Sequence, residues 1–185
     1  MRLSGKRYNS IEEAVVKLFS ELNISRIPVD PYEVVDALGI KLVTYSQFTQ
    51  LSYEQKMLIS KDGFCEEIAV SPTESYFVIV YNEMMPDVRI HFTIMHEIGH
   101  IILDHSEHSE LADSEANYFA SYSLAPPPLI HKMNPEDFTD IAETFDISME
   151  CAMYAMKKYN NWLRYGSKDF LNHEIQLLKL FKLVV

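Results

Sequence analysis

The sequence predicts an α+β fold, in which a small three-stranded antiparallel sheet packs with one long helix and is followed by a helical C-terminal part. Short alternating runs rich in β-branched and aromatic residues occur in the first half of the chain. Helical spacing of apolar residues, with clear start and stop signals, fills most of the second half. The 185 residues are 48 % hydrophobic, which suffices for one domain with a substantial core.

Local signals place the elements around the sheet. Ser10 and Glu13 form a capping-box pattern, which predicts the start of the first helix. Asp30 before Pro31 predicts the start of a second helix, and Gly39 is well placed to end it. These signals and the alternating runs give helices over residues 11–22 and 32–38, strands over 40–45, 64–71 and 76–81, and a short helix or loop within 46–60.

Prolines, serines and glycines mark the helix ends in the second half. A helix that begins at residue 110 is expected to stop at Pro126, and Pro135 opens the next helix. Ser148 caps a further helix that Gly166 ends, and Ser167 starts the last one. The predicted helices of this half are 110–124, 136–145, 149–165 and a final helix from residue 167.

Charge and composition exclude several classes of function. The net charge of −11 and the pI near 5.0 disfavour direct binding to nucleic acid or to an anionic membrane surface. No stretch reaches the roughly 18 apolar residues of a membrane span, and the polar first ten residues do not resemble a signal peptide. Cys65 and Cys151 fit free thiols in a reducing compartment, so the sequence predicts a cytoplasmic protein.

The most specific pattern in the chain is a single His-Glu-x-x-His, formed by His96, Glu97 and His100. On a helix, residues four apart lie one above the other, so the two imidazoles can bind one zinc ion. Glu97 points toward the same edge and can act on a zinc-bound water. Two surface histidines on an ordinary helix would also satisfy the pattern, so the surrounding residues must decide.

The helical wheel favours a metal site over two surface histidines. Gly99 costs about 1 kcal/mol in a helix relative to Ala, which is easier to accept where another segment packs against the backbone. The motif lies in register on the polar side of an amphipathic helix. That polar arc contains Arg89, Thr93, His96, Glu97, His100 and Asp104, and the opposite side contains Ile90, Ile94, Met95, Ile98, Ile101 and Ile102.

A site of this kind needs a third protein ligand, and the sequence predicts Glu115. Glu115 falls in the middle of the apolar face of the helix over residues 110–124, where an ionised carboxylate is costly unless it is paired or bound to metal. Asp113 falls on the far side, toward solvent. The alternative for Glu115 is a salt bridge to Arg89 or to a lysine. His105 and His108 are rival ligands, although both fit solvent-exposed or structural roles better.

Two motifs of this chain are Arg89-x-x-Phe92-Thr93-x-x-His96-Glu97-x-Gly99-His100 and Glu115-Ala116-Asn117-x-Phe119-Ala120. Together they resemble the ImmA/IrrE family of metallopeptidases. The resemblance implies a zincin-like metallopeptidase domain over residues 1–125 and a helical extension over 126–185 that packs on the same domain. It implies a zinc-dependent endopeptidase whose substrate is a helix-turn-helix repressor, cleaved to relieve repression in a prophage, a mobile element or a stress response. Manganese could use the same ligands.

The alternative function is a regulatory or protein-binding module in which the metal only stabilises the fold. The predicted helices over residues 136–145 and 149–165 have the spacing of a helix-turn-helix. Acidic residues dominate this pair, whereas DNA binding requires positive charge. The sequence therefore favours a peptidase that acts on a protein substrate and does not bind nucleic acid itself.

Overall fold

The computed structural model describes residues 3–71, 73–106, 109–167 and 169–183. It shows the predicted α+β architecture, with a small sheet followed by helices. Every described helix is too short or too polar to cross a membrane. The elements are α1 (Gly5–Leu22), α2 (Pro31–Leu38), β1 (Lys41–Thr44), α3 (Tyr53–Ile59), β2 (Gly63–Ser71), β3 (Glu74–Tyr81), α4 (Asp87–Ile102), α5 (Glu110–Leu124), α6 (Pro127–Met133), α7 (Phe138–Phe145), α8 (Met149–Tyr165) and α9 (Asn172–Leu180).

The sheet has the order β1-β3-β2 and is mixed, which corrects the prediction of a purely antiparallel sheet. β2 and β3 form the expected antiparallel pair, with Gly63 opposite Tyr81. β1 runs parallel to β3, with Lys41 opposite Val78. The parallel pairing arises because α3 and β2 lie between β1 and β3 in the chain and form the crossover that parallel neighbours require.

The first helix begins earlier than predicted. Ser4, and not Ser10, is its N-cap, and the Ser4 hydroxyl accepts a hydrogen bond from the backbone N–H of Arg7. The longer helix places Arg7 inside α1, from which its side chain extends to α5. The predicted caps of α2 are confirmed, since Asp30 accepts from the Tyr32 N–H and Gly39 adopts a left-handed conformation.

The prolines after α5 were predicted only to stop a helix, but they also start one. α6 begins at Pro127, where a missing N–H costs nothing because the first turn of a helix has no acceptor for it. α7 begins at Phe138 behind an Asp137 cap, two residues later than predicted. α9 begins at Asn172, whereas the prediction placed its start at Ser167.

α4 and α5 pack closely, and Gly99 permits the approach. A Cβ at residue 99 would lie 3.1 Å from Phe119 Cβ and Cδ1 and 3.2 Å from Ala116 Cα. The expectation that a neighbouring segment lies against this glycine is therefore confirmed. One hydrophobic core extends from α1 to α9, across residue 125, and includes Phe19, Ile94, Phe119, Leu129 and Leu178.

Candidate metal centre

The two histidines of the motif face each other on α4. Their Nε2 atoms are 3.1 Å apart, and both side chains are half-buried. Two nitrogens bound at about 2.0 Å to one tetrahedral zinc ion are separated by about 3.3 Å. The spacing of His96 and His100 therefore fits two ligands of one ion.

A carboxylate from α5 completes a group of three donors. Asp113 Oδ1 lies 3.6 Å from His100 Nε2, and one ligand atom each from His96, His100 and Asp113 lie within 4.8 Å of one another. The Asp113 side chain is more than half exposed, so the group opens to solvent on one side. Two imidazoles and one carboxylate are a donor set that catalytic zinc sites use, with a position left for water.

The structure does not place Glu115, the predicted third ligand, in this group. Glu115 is buried, as the sequence indicated, but its two carboxylate oxygens accept hydrogen bonds from Nε and Nη2 of Arg7. Glu115 Oε2 is also 2.9 Å from His105 Nε2. Arg7 is thus the partner in the salt bridge that the sequence could assign only to Arg89 or to a lysine. His108 lies outside the described residues.

The geometry of α5 explains why the helical wheel selected the other carboxylate. α5 is buried on two sides, against α4 through Ala116 and Phe119 and against α1 through Glu115. The helical wheel cannot separate these two sides, so it shows one broad apolar face with Glu115 at its centre. The small residues Ala112, Ala116 and Ala120, spaced four apart, mark the side that approaches Gly99, and Asp113 with Asn117 borders that side.

Glu97 is buried beside the histidines. Burial raises the pKa of the Glu97 carboxyl group to about 8, although the backbone N–H of Cys65, which donates a hydrogen bond to Glu97, lowers it and the charge of Asp113 raises it further. Glu97 is therefore held by the edge strand β2 in the wall of a cavity that also includes His100 and His105.

The surroundings of His96 favour its neutral form. Burial lowers the pKa of His96, while the charge of Asp113 and a hydrogen bond with Asn117 oppose this effect. Neutral imidazole is the form that binds a metal ion. Asn117 is thus a residue of the site that the sequence interpretation did not assign, although it belongs to the second motif.

An open groove lies beside His96. It has a volume of about 790 Å³ and runs between α4, α5 and α8. The Phe92 ring, which lines the groove, stacks on the His96 ring with centroids 6.5 Å apart. Asn117 borders both the groove and His96. Other residues of the groove wall are Arg89, Cys151, Met153 and Tyr154.

Comparison with known families gives one match. The family model Peptidase_M78, described as an IrrE N-terminal-like domain, matches residues 49–157, which is more than half of the chain. The matched range contains the three donors and Glu97, but α1, α2, β1 and α9 lie outside it. Comparison with curated proteins gives no match.

Proposed function

This chain belongs to the Peptidase_M78 family of metallopeptidases with an IrrE N-terminal-like domain, and on that basis we propose that it is a zinc-dependent endopeptidase. The observation that carries the proposal is the convergence of His96, His100 and Asp113 beside the buried Glu97. We assign the metal ligands to these two histidines and to Asp113, in place of Glu115.

The donor set fits zinc and is compatible with manganese. The two Nε2 atoms are spaced as ligands of one ion, and Asp113 supplies an oxygen on the open side of the group. A bound zinc ion would lower the pKa of a water molecule toward about 7 and polarise the carbonyl of the scissile bond. The protein holds the donors in fixed positions and leaves one side of the group open to solvent.

Glu97 is assigned the role of general base and acid. Its carboxylate accepts a proton from the attacking water and returns that proton to the leaving amine. The Cys65 N–H fixes the carboxyl group in position, because its hydrogen bond comes from a strand backbone that pairs with β3. Burial raises the pKa of Glu97 to about 8 in the metal-free protein, and the positive charge of a bound zinc ion would lower it and favour the carboxylate that accepts the proton.

We propose that the substrate occupies the groove between α4, α5 and α8 together with the cavity whose wall includes Glu97 and His100. The groove lies next to His96, because Phe92 in its wall stacks on the His96 ring and Asn117 in its wall forms a hydrogen bond with His96. Met153 and Tyr154 are about half exposed in its wall, which suits apolar side chains of a polypeptide that flank the scissile bond. A Met153→Glu substitution should weaken cleavage while zinc binding stays unchanged.

We propose a helix-turn-helix repressor as the substrate, on the basis of the family resemblance and the charge of the chain. The net charge of −11 is complementary to a basic DNA-binding protein and would accelerate encounter at low salt. The exposed Asp137, which caps α7, and Glu143 on α7 contribute to this charge. Cleavage would take place in the cytoplasm, where such repressors act.

Metal analysis tests the ligand assignment. Parent protein, Asp113→Ala and Glu115→Gln are saturated with zinc, passed through a desalting column and analysed for bound metal. We expect about one zinc per chain in the parent and in Glu115→Gln, whose amide oxygen can still accept a hydrogen bond from His105. Asp113→Ala should lose stoichiometric zinc. Stoichiometric zinc in Asp113→Ala together with loss in Glu115→Gln would reverse the assignment.

A cleavage assay tests the reaction. The zinc-loaded protein is incubated with a helix-turn-helix repressor from the same genome, and fragments are identified by mass spectrometry. Glu97→Gln should bind zinc normally and cleave at least 100-fold more slowly, because the proton acceptor is lost. Equal cleavage by Glu97→Gln would contradict the mechanism. Zinc binding without cleavage of any protein substrate would favour a metal-stabilised binding module.

A further inference from the structure

A chain of polar contacts extends from the candidate ligand His100 to the N-terminal helix. His100 Nδ1 lies 3.0 Å from His105 Nδ1, and His105 Nε2 lies 2.9 Å from Glu115 Oε2. Arg7 then binds both oxygens of Glu115. The side chains of His105 and Glu115 are less than one-tenth exposed, so water competes little for these contacts.

The hydrogen-bonding capacity of each group determines which partner donates in each of these contacts. Arg7 donates a hydrogen bond to each oxygen of Glu115, and a carboxylate held in this way by a guanidinium can only accept hydrogen bonds. His105 Nε2 therefore donates to Glu115, and the Nδ1 of a neutral His105 is left as an acceptor. His100 Nδ1 then donates to His105, which leaves the lone pair of His100 Nε2 directed at His96 and Asp113.

We propose that Arg7, Glu115 and His105 are positioning residues that hold His100 in the Nδ1–H tautomer and in the ring orientation required for metal binding. The proposal rests on the metal site proposed above, because it assigns a role to the ring nitrogen that does not face the ion. Partners of this kind fix the tautomer of a ligand and raise its basicity.

This series of polar contacts makes the metal centre depend on residues outside the range that the family model matches. Arg7 belongs to α1, which precedes residues 49–157. Its two donors hold both oxygens of Glu115 and prevent the carboxylate from rotating away from His105. The N-terminal helix therefore contributes to metal affinity without contacting the ion.

Three variants and one matched control test the proposal through zinc affinity, measured by competition with a chromophoric chelator. His105→Phe keeps a ring but removes both nitrogens, and we expect a 10- to 100-fold weaker affinity. His105→Asn places an amide oxygen near the Nδ1 position and should recover much of the loss. Arg7→Met should weaken binding about tenfold. Arg26→Met removes a comparable arginine from an exposed ion pair with Glu33 and should have no effect.

The tautomer of His100 is the second measurement, and it begins with the parent protein. Long-range ¹H–¹⁵N spectra of the imidazoles in the metal-free protein should show His100 protonated on Nδ1 and unprotonated on Nε2. His105→Phe should remove this preference while the far-ultraviolet circular dichroism stays unchanged. A proton on Nε2 in the parent, or parent-like zinc affinity in either His105→Phe or Arg7→Met, would overturn the proposal.

These outcomes are distinguishable from a failure of the proposed function. If the parent protein does not bind zinc, the metal site itself is wrong. If the parent binds zinc and the three variants bind it equally well, only the positioning chain is wrong. If His105→Phe does not fold, the comparison of Arg7→Met with Arg26→Met still decides between a positioning role and a general loss of surface charge.

Discussion

The close contact between α4 and α5 makes Gly99→Ala an informative substitution. Alanine would gain about 1 kcal/mol from helix propensity. Its Cβ would lie 3.1 Å from two atoms of Phe119 and 3.2 Å from Ala116 Cα, whereas carbon atoms in good contact are about 3.5–4.0 Å apart. One of these neighbours is backbone, so α5 itself must move. Overpacking of this kind costs about 1–3 kcal/mol, which leaves a net destabilisation of up to about 2 kcal/mol.

The displacement of α5 should also weaken metal binding, because Asp113 is carried on that helix. We expect Gly99→Ala to lower Tm by about 2–4 °C per kcal/mol in calorimetry and to weaken zinc affinity in chelator competition. Gly5→Ala is the matched control, since a Cβ there meets nothing within 4 Å among the described residues. Unchanged zinc affinity and raised Tm in Gly99→Ala would refute the account of the α4–α5 contact.

Three further predictions concern the rest of the fold. Burial lowers the pKa of His173, but its hydrogen bond with Glu12 and the Glu12 charge outweigh burial, so the pKa lies above 6.5. The stabilisation that the protonated His173 gives through Glu12 is fully present below about pH 6.5 and is lost as the pH rises through the raised pKa. The Tm should therefore fall more between pH 6 and pH 8 in the parent than in His173→Gln. Burial raises the pKa of Cys65 to about 12 and the pKa of Cys151 to about 11. Because the thiolate is the reactive form, alkylation of both cysteines by iodoacetamide at pH 8 should be slow until urea unfolds the chain. Rapid labelling of the folded protein would contradict this. Phe145→Ala in the core should lower the free energy of unfolding by about 3–5 kcal/mol in a urea titration, and a loss below about 1 kcal/mol would show that α7 packs loosely.

The sequence predicted elements best where a start or stop signal is chemically unambiguous. Asp30 and Gly39 at α2, and Ser148 at α8, are found as caps. The direction of β1 could not be predicted, because alternation identifies a buried face and carries no information about which neighbour a strand pairs with. α6 was missed because three consecutive prolines indicate both the end of one helix and the start of another.

In the candidate site, the sequence predicts the pair of histidines better than the carboxylate ligand. The i and i+4 spacing of His96 and His100 is local, so the sequence alone indicates that they lie together. The choice between Asp113 and Glu115 depends on which neighbour each side of α5 meets. That choice depends on α1, which supplies Arg7 from more than one hundred residues away. A helix buried on two sides has no single apolar face from which a ligand can be selected.

The contacts of helix α1 limit how far the chain can be shortened before it loses its stability. Glu12, one turn beyond Arg7, accepts hydrogen bonds from Tyr118 of α5 and contacts His173 of α9, and its neighbour Ile11 is fully buried. A fragment limited to residues 49–157 would retain the histidines and Asp113 but would lose the buried side chains of Ile11, Phe19 and Leu178 from the core. Burial of each such side chain contributes about 1.5–3 kcal/mol, so their loss removes a large part of the stability of an ordinary domain. The smallest stable unit therefore extends on both sides of the segment by which its relatives are identified.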